Sequence, residues 1–362
     1  MVIGKSNFKW MRRVCGRWSL GVVAMALPVL CAPSSLRAGS VEFDWAVIGN
    51  PGNAPDPLNI TQVAPMIGRV DYVYRIATTE VTNAQYAAFL NAVDPNGVNP
   101  NAIYHNFMGQ FVVGGITLTP GAPAGDKYRL KPSMSDKPIN YVNFRSAMRF
   151  INWLHNGQGA GGTESGAYTV GDGSTEVRSA NARFFLPSEN EWYKAAYHHP
   201  AADGGDSDDY WLYPTRTNVH PIPATANAVG DISNPGFNVT NHLGQANWNG
   251  TGSGNVTTVG SAGPLSRSYY GTYDQGGNVW EWIERLSITQ DRQSRGGSWR
   301  PFEDFQDSSR FQLADPGRIS SGIGFRVASP IPEPSSLSLV LMGAVVLLRR
   351  RCGMRGGARS LT

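Results

Sequence analysis

The stretch Tyr273-Asp274-Gln275-Gly276-Gly277-Asn278-Val279-Trp280-Glu281-Trp282 carries a glycine pair, two carboxylates and two tryptophans in ten residues. Large rings are an efficient means of pinning loops, so Trp280 and Trp282 are expected to anchor a core, as are Trp192, Trp299 and Phe325. Asp274 and Glu281 read differently. With glycine-freed carbonyls between them, they offer the oxygen-rich surroundings that calcium, a hard cation with six to eight oxygen ligands, requires. Downstream lie Arg295-Gly296-Gly297-Ser298-Trp299 and Gly324-Phe325-Arg326. Arg295 and Arg326 are expected to satisfy buried carbonyls or carboxylates.

Upstream the chain is helical in three places. Arg75–Val81 reads as a short strand, followed by Thr82 as N-cap of a helix over Ala84–Val93, where Tyr86, Phe89, Leu90 and Val93 share one face. A second helix opens at Val142-Asn143, with Phe144, Ala147, Met148, Ile151 and Leu154 at helical spacing. A third follows Ser188, with Glu191 three residues on as a capping box and Trp192, Ala195 and Ala196 facing inward. Beyond Tyr197 the pattern is short strands and long loops dense in Asn, Gly and aromatics. The 42 glycines and 24 prolines of the 362 residues agree with a chain rich in turns. Three helices on small irregular sheets is an α+β architecture. Residues 39–330 show no linker and no repeat, so they read as one domain.

These segments, in this order, resemble the formylglycine-generating-enzyme-like family, also called the sulfatase-modifying-factor domain. The resemblance rests on Tyr74–Val93, Lys137–Leu154, Arg183–Tyr197, Tyr273–Trp282, Arg295–Trp299 and Gly324–Ala328, and spans about residues 70–328. It implies a loop-rich fold similar to a C-type lectin. It also implies a calcium site formed by the Asp274 and Glu281 side chains and the Gly277 and Val279 carbonyls, with Asp274 in place of the family's asparagine. A second calcium site is implied at Asn247, Trp248 and Asn255, although the acidic residue expected downstream is missing.

The oxidase members hold copper(I) on two cysteines after the Gly-Gly-Ser motif, a soft cation on soft ligands. The matching positions here fall near Pro301 and Gln306, and the three cysteines, Cys15, Cys31 and Cys352, all lie near the ends. Copper-dependent oxidase activity is therefore not expected. No paired-histidine metal spacing, Gly-x-Ser-x-Gly elbow or phosphate loop replaces it. The groove of the former active site, with Trp299, Arg300, Glu303, Asp304 and Asp307 as candidates, is expected to serve a polysaccharide or peptide ligand without catalysis. The rival expectation is a cysteine-independent oxidoreductase or protein-modifying enzyme of the same family.

The ends read as addresses. Lys5, Lys9, Arg12, Arg13 and Arg17 precede the apolar Leu20–Ala32, and Leu36-Arg37-Ala38 completes a secretory signal peptide over residues 1–38. At the other end, residues 331–362 contain Pro332-Glu333-Pro334, the apolar run Leu337–Leu348 as a short transmembrane helix, and Arg349-Arg350-Arg351. This resembles the PEP-CTERM sorting signal of bacteria, which implies processing by an exosortase. The expected location is the cell surface or extracellular matrix, after transient anchoring in the membrane. The formal net charge of +4 comes from these basic ends. The region between them is acidic, which argues against nucleic acid as a partner.

Overall fold

The computed structural model describes residues 40–57, 67–287, 289–300 and 305–331. The two terminal signals lie outside these residues, as do Pro301, Glu303 and Asp304. Among the described residues no helix is long and apolar enough to cross a membrane.

The fold mixes a few helices with small sheets in a loop-rich whole. The first sheet joins β1 (Trp45–Ile48), β2 (Tyr74–Ala77) and β11 (Ala328–Pro330), with β2 in the middle and antiparallel to both neighbours. It thereby ties the beginning and end of the described chain together. The second sheet runs in the order β10 (Ile323–Gly324), β7 (Trp280–Leu286), β8 (Arg292–Arg295), β9 (Gln312–Ala314). Two ribbons complete the set: β3 (Ile116–Leu118) with β4 (Tyr128–Leu130), and β5 (Ile222–Pro223) with β6 (Val239–Thr240).

The helices α1 (Asn83–Val93), α3 (Phe144–His155) and α4 (Glu189–Tyr197) stand where the apolar spacing places them. A one-turn helix, α2 (Phe107–Gln110), was not signalled by any periodicity. Thr82 and Asn143 cap α1 and α3, each accepting a backbone N–H of the first turn. Between these two helices Tyr86, Phe89, Phe150, Trp153 and Phe325 pack ring against ring, with centroids 5.3–6.4 Å apart, mostly edge to face.

On α4 the capping box is complete. Ser188 Oγ accepts the Glu191 N–H at 3.3 Å, and the Glu191 carboxylate accepts the Ser188 N–H at 2.7 Å. Ser188→Ala is expected to lower stability by about 1 kcal/mol, read as a fall in the urea midpoint with an unchanged slope.

The strand expected over Arg75–Val81 ends at Ala77. Beyond it the backbone turns its carbonyls inward: Ala77 and Thr78 accept from the Arg326 guanidinium, and Thr78 also accepts the Tyr273 N–H. The ladder stops because its acceptors are claimed by a buried cation.

Candidate functional site

The decisive stretch, Tyr273–Trp282, is a tight turn leading into β7. Gly277 has φ +86°, and a Cβ there would lie 2.3 Å from the Asn241 carbonyl oxygen, so only glycine fits. Trp282 is fully buried against Phe144 and donates its indole N–H to the Val142 carbonyl. Trp192 and Trp280 are likewise core residues. Glu281 points to the other side of β7 and is also fully buried. Arg326 grips it bidentately, Nε to Oε2 at 2.5 Å and Nη2 to Oε1 at 2.6 Å, while Trp192 Nε1 donates to Oε2 at 2.7 Å. Arg326 spends its remaining N–H groups on the carbonyls of Ala77, Thr78 and Tyr273. Arg295 behaves similarly, bonding Glu189 and the carbonyls of Ser308 and Arg310.

This geometry bears on the calcium ligands that the resemblance implies. Both Glu281 oxygens already accept N–H donors, so Glu281 offers a cation at most the second lone pair of Oε1. Asp274 is less committed. Its backbone stands at φ +57°, and its Oδ2 accepts the Gly260 N–H at 2.6 Å. Burial, above all, pushes its carboxyl up to about 6. Near it is a third acid that the sequence pattern did not single out. Glu80 is 1% exposed, and neither of its carboxylate oxygens has a hydrogen-bond partner. Burial, and next the charge of Asp274, hold its carboxyl well above the usual range. The guanidinium of Arg326 is thus bonded to Glu281, and the charges of Glu80 and Asp274 act on it as well. When all are ionised the cluster carries a surplus of two negative charges, which a divalent cation neutralises. Among the described residues no three His, Cys, Asp or Glu side chains converge as a metal cluster. A cation here would therefore draw on two carboxylates and on backbone oxygens.

At the second implied calcium site the oxygens already accept hydrogen bonds within the loop. Asn247 Oδ1 accepts the Gly254 N–H, Asn255 Oδ1 accepts the Val256 N–H, and the Trp248 carbonyl accepts from Thr251. These acceptors hold the loop's own turns together.

The loop after the Gly-Gly-Ser motif is equally specific. Trp299 is 6% exposed and donates to the Ser321 carbonyl, so it anchors the loop instead of lining a groove. Asp307 accepts from Ser309 and Arg310 and is spent on its own turn. Gln306 is fully buried, with both amide atoms unpartnered, wedged beside Gly276 and Gly297. At the end of α4 the rings of His198 and His199 are engaged by neighbours, with His199 bonded to the Asp203 carbonyl and to Trp211. The His198 ring stacks on Tyr270 and bonds its hydroxyl, and burial pushes its pKa down to about 4.

The neighbouring surface is aromatic. Phe107 and Phe111 are 38% and 47% exposed, 4.8 Å apart edge to face, and Phe111 lies nearly parallel to Tyr141 at 6.1 Å. The Tyr141 N–H donates to Ser320, beside the Ser321 carbonyl that holds Trp299, and Arg300 lies close enough for its charge to act on the Tyr141 hydroxyl. The rings thus border the motif loop. Elsewhere, a cleft of about 330 Å³ opens between the end of α1 and the Gly161–Ser165 loop.

The model of the sulfatase-modifying factor enzyme 1-like domain matches residues 35–331. The chain belongs to that family. Among solved structures, the family member is similar to CarF, with 18% identity over 81% of this chain and 100% of that one and a TM-score of 0.48. It is also similar to variable protein 1 of Treponema denticola (20%, 82% and 98%, TM-score 0.47) and to PvdO of Pseudomonas aeruginosa (18%, 81% and 98%, TM-score 0.42). A comparison with curated proteins returns no match.

Proposed function

We propose that this sulfatase-modifying-factor-like protein is an exported binding module without oxidase activity. It would be sorted to the cell surface or matrix by an exosortase acting on its C-terminal signal, and would present a loop surface to a polysaccharide or peptide. The observation that carries the reading is Gln306. Where the oxidase members hold a copper thiolate, this chain has a neutral amide with no exposed surface. A glutamine carbonyl is a hard, neutral donor with little affinity for a soft cation. What supports binding is the exposed pair Phe107 and Phe111 bordering Arg300, because aromatic faces contribute large contact area at low conformational cost. Calcium, bound through Asp274 and the adjoining carbonyls of the Gly277–Val279 turn, would order these loops.

The test has two arms. Incubated with copper, reductant, oxygen and a Cys-x-Pro-x-Arg peptide, the protein is expected to yield no aldehyde by mass spectrometry. Turnover above a protein-free control would instead promote the cysteine-independent enzyme. Screened against extracellular polysaccharides and peptides, the protein is expected to retain at least one ligand, and Phe111→Ala to weaken it about tenfold, or 1.4 kcal/mol. Equal retention by the variant would remove this face from the reading.

A further inference from the structure

The cleft of about 330 Å³ between the end of α1 and the Gly161–Ser165 loop has two walls of different chemistry. One wall is the end of α1 and the chain that follows it. Asp94 is 5% exposed, and its carboxylate is taken by the N–H groups of Val98 and Asn99 and by the Tyr128 hydroxyl. Asn99 then clips this segment shut, exchanging hydrogen bonds with Tyr104 at 2.7 and 3.0 Å. The wall turns the apolar side chains of Val93, Pro100 and Ile103 to the cleft.

The facing loop is held by its carbonyls. Trp153 Nε1 donates to Gly159, Asn156 Nδ2 to Gly162 and Ser165, and Asn152 Nδ2 to Thr163, at 2.5–3.0 Å. The Val170 N–H donates to the Glu164 carbonyl at 2.9 Å. A planar trans peptide sets its N–H opposite its C=O. The amides of Thr163, Glu164 and Ser165 are therefore turned away from the groups that hold the loop. Among the described residues none of them finds a protein acceptor.

Asn101 joins the two walls. Its Nδ2 donates to Glu164 Oε1 at 3.0 Å and to Thr163 Oγ1 at 3.3 Å, which leaves Oδ1 as an acceptor. Arg149 grips Glu164 bidentately, at 2.8 and 2.9 Å, and holds its carboxyl below the usual range. The cleft thus combines amide donors, two planar acceptors and an apolar wall. A ring bearing hydroxyls matches all three, since a hydroxyl both donates and accepts while the C–H face lies on carbon. An anion matches poorly, because two carboxylates and no Lys or Arg line the cleft. An extended peptide also matches poorly. Strand pairing uses N–H and C=O alternately along an edge, and the carbonyls of this loop are already engaged.

We propose that this cleft binds a neutral pyranose, free or at the end of a glycan chain, with the Thr163–Ser165 amides donating to its oxygens and Asn101 and Glu164 accepting from its hydroxyls. The volume suits one or two rings, at the lower end of the range of about 300–1,000 Å³ for small-ligand sites. The site is separate from the Phe107–Phe111 face, and neither depends on the other.

The test is saturation-transfer NMR of the full chain with glucose, galactose, mannose, N-acetylglucosamine, maltose, cellobiose and chitobiose. At least one of these is expected to bind. Gly161→Leu is expected to weaken that sugar at least about tenfold. A Cβ at Gly161 meets nothing within 4 Å and its φ is not left-handed, so the side chain fills the cleft without straining the backbone. Phe111→Ala is expected to leave the binding unchanged. A diazirine derivative of the bound sugar gives a measurement that needs no variant, with label expected on residues 93–103 or 160–165. Disaccharides bound at least as well as monosaccharides would assign a glycan-chain end, and monosaccharides alone a free sugar. Silence from every sugar would overturn the proposal. So would label confined to other residues, equal binding by Gly161→Leu, or a cleft that takes sulfate, phosphate or a peptide in place of a sugar.

Discussion

Arg326→Ala is expected to destabilise the domain by about 3–5 kcal/mol, the cost of removing one partner of a fully buried ion pair. The residue is 0% exposed, and so is Glu281. The variant strands Oε1 of Glu281, leaves Oε2 only the Trp192 N–H, and removes the Arg326 donors from the carbonyls of Ala77, Thr78 and Tyr273. It also leaves Glu80, Asp274 and Glu281 with no cation among them. The loss should be read as a fall in the denaturant midpoint. Native stabilities are commonly about 5–15 kcal/mol, so most of the margin is at risk. The double variant Arg326→Met, Glu281→Gln is expected to recover part of the loss, because it removes the carboxylate charge that the single variant leaves without its partner. An Arg326→Ala midpoint within about 1 kcal/mol of wild type would show that the pair is incidental to the fold. The outcome matters for function as well. Arg326 joins the β2 end, the Tyr273 turn and β7, which are the three segments that bring Glu80, Asp274 and Glu281 together.

The parts of this molecule governed by local rules were legible in its sequence. Ser188 with Glu191 announced the start of α4, because a capping box is a relation between residues three apart. Thr82, Asn143 and the apolar faces of α1 and α3 were legible for the same reason. The glycines and tryptophans of Tyr273–Trp282 gave the turn and its anchors. The partners of charged residues were not legible. Nothing within Tyr273–Trp282 indicates that Arg326 and Trp192 converge on Glu281 from 45 and 89 residues away. Glu80, followed by Val81 and the Thr82 cap, reads as an ordinary charge ahead of a helix. Only the long-range closure of β2 with β11 and the Arg326 contacts bury it. The one-turn α2 and its exposed rings were missed because a single turn is too short to display a period.

Gln306→Met is expected to stabilise the domain, by about 1–3 kcal/mol. Buried donors and acceptors left without partners cost about that much each, and Gln306 has one of each kind in its side chain. Methionine keeps the length and nearly the volume, so the packing beside Gly276 and Gly297 need not change. The hydrogen bond that ties this residue to its surroundings is unaffected, because Tyr197 Oη donates to the backbone carbonyl of Gln306, at 3.0 Å. A rise in the denaturant midpoint would mean that Gln306 is part of the core in all but its polarity. A fall would mean that the amide meets something in solution, a bound water or a ligand group. The position would then be a polar subsite facing the loop, as the enzyme alternative requires. Cysteine discriminates less well at this position, since it shortens the side chain and opens a cavity whose own cost masks the polar term.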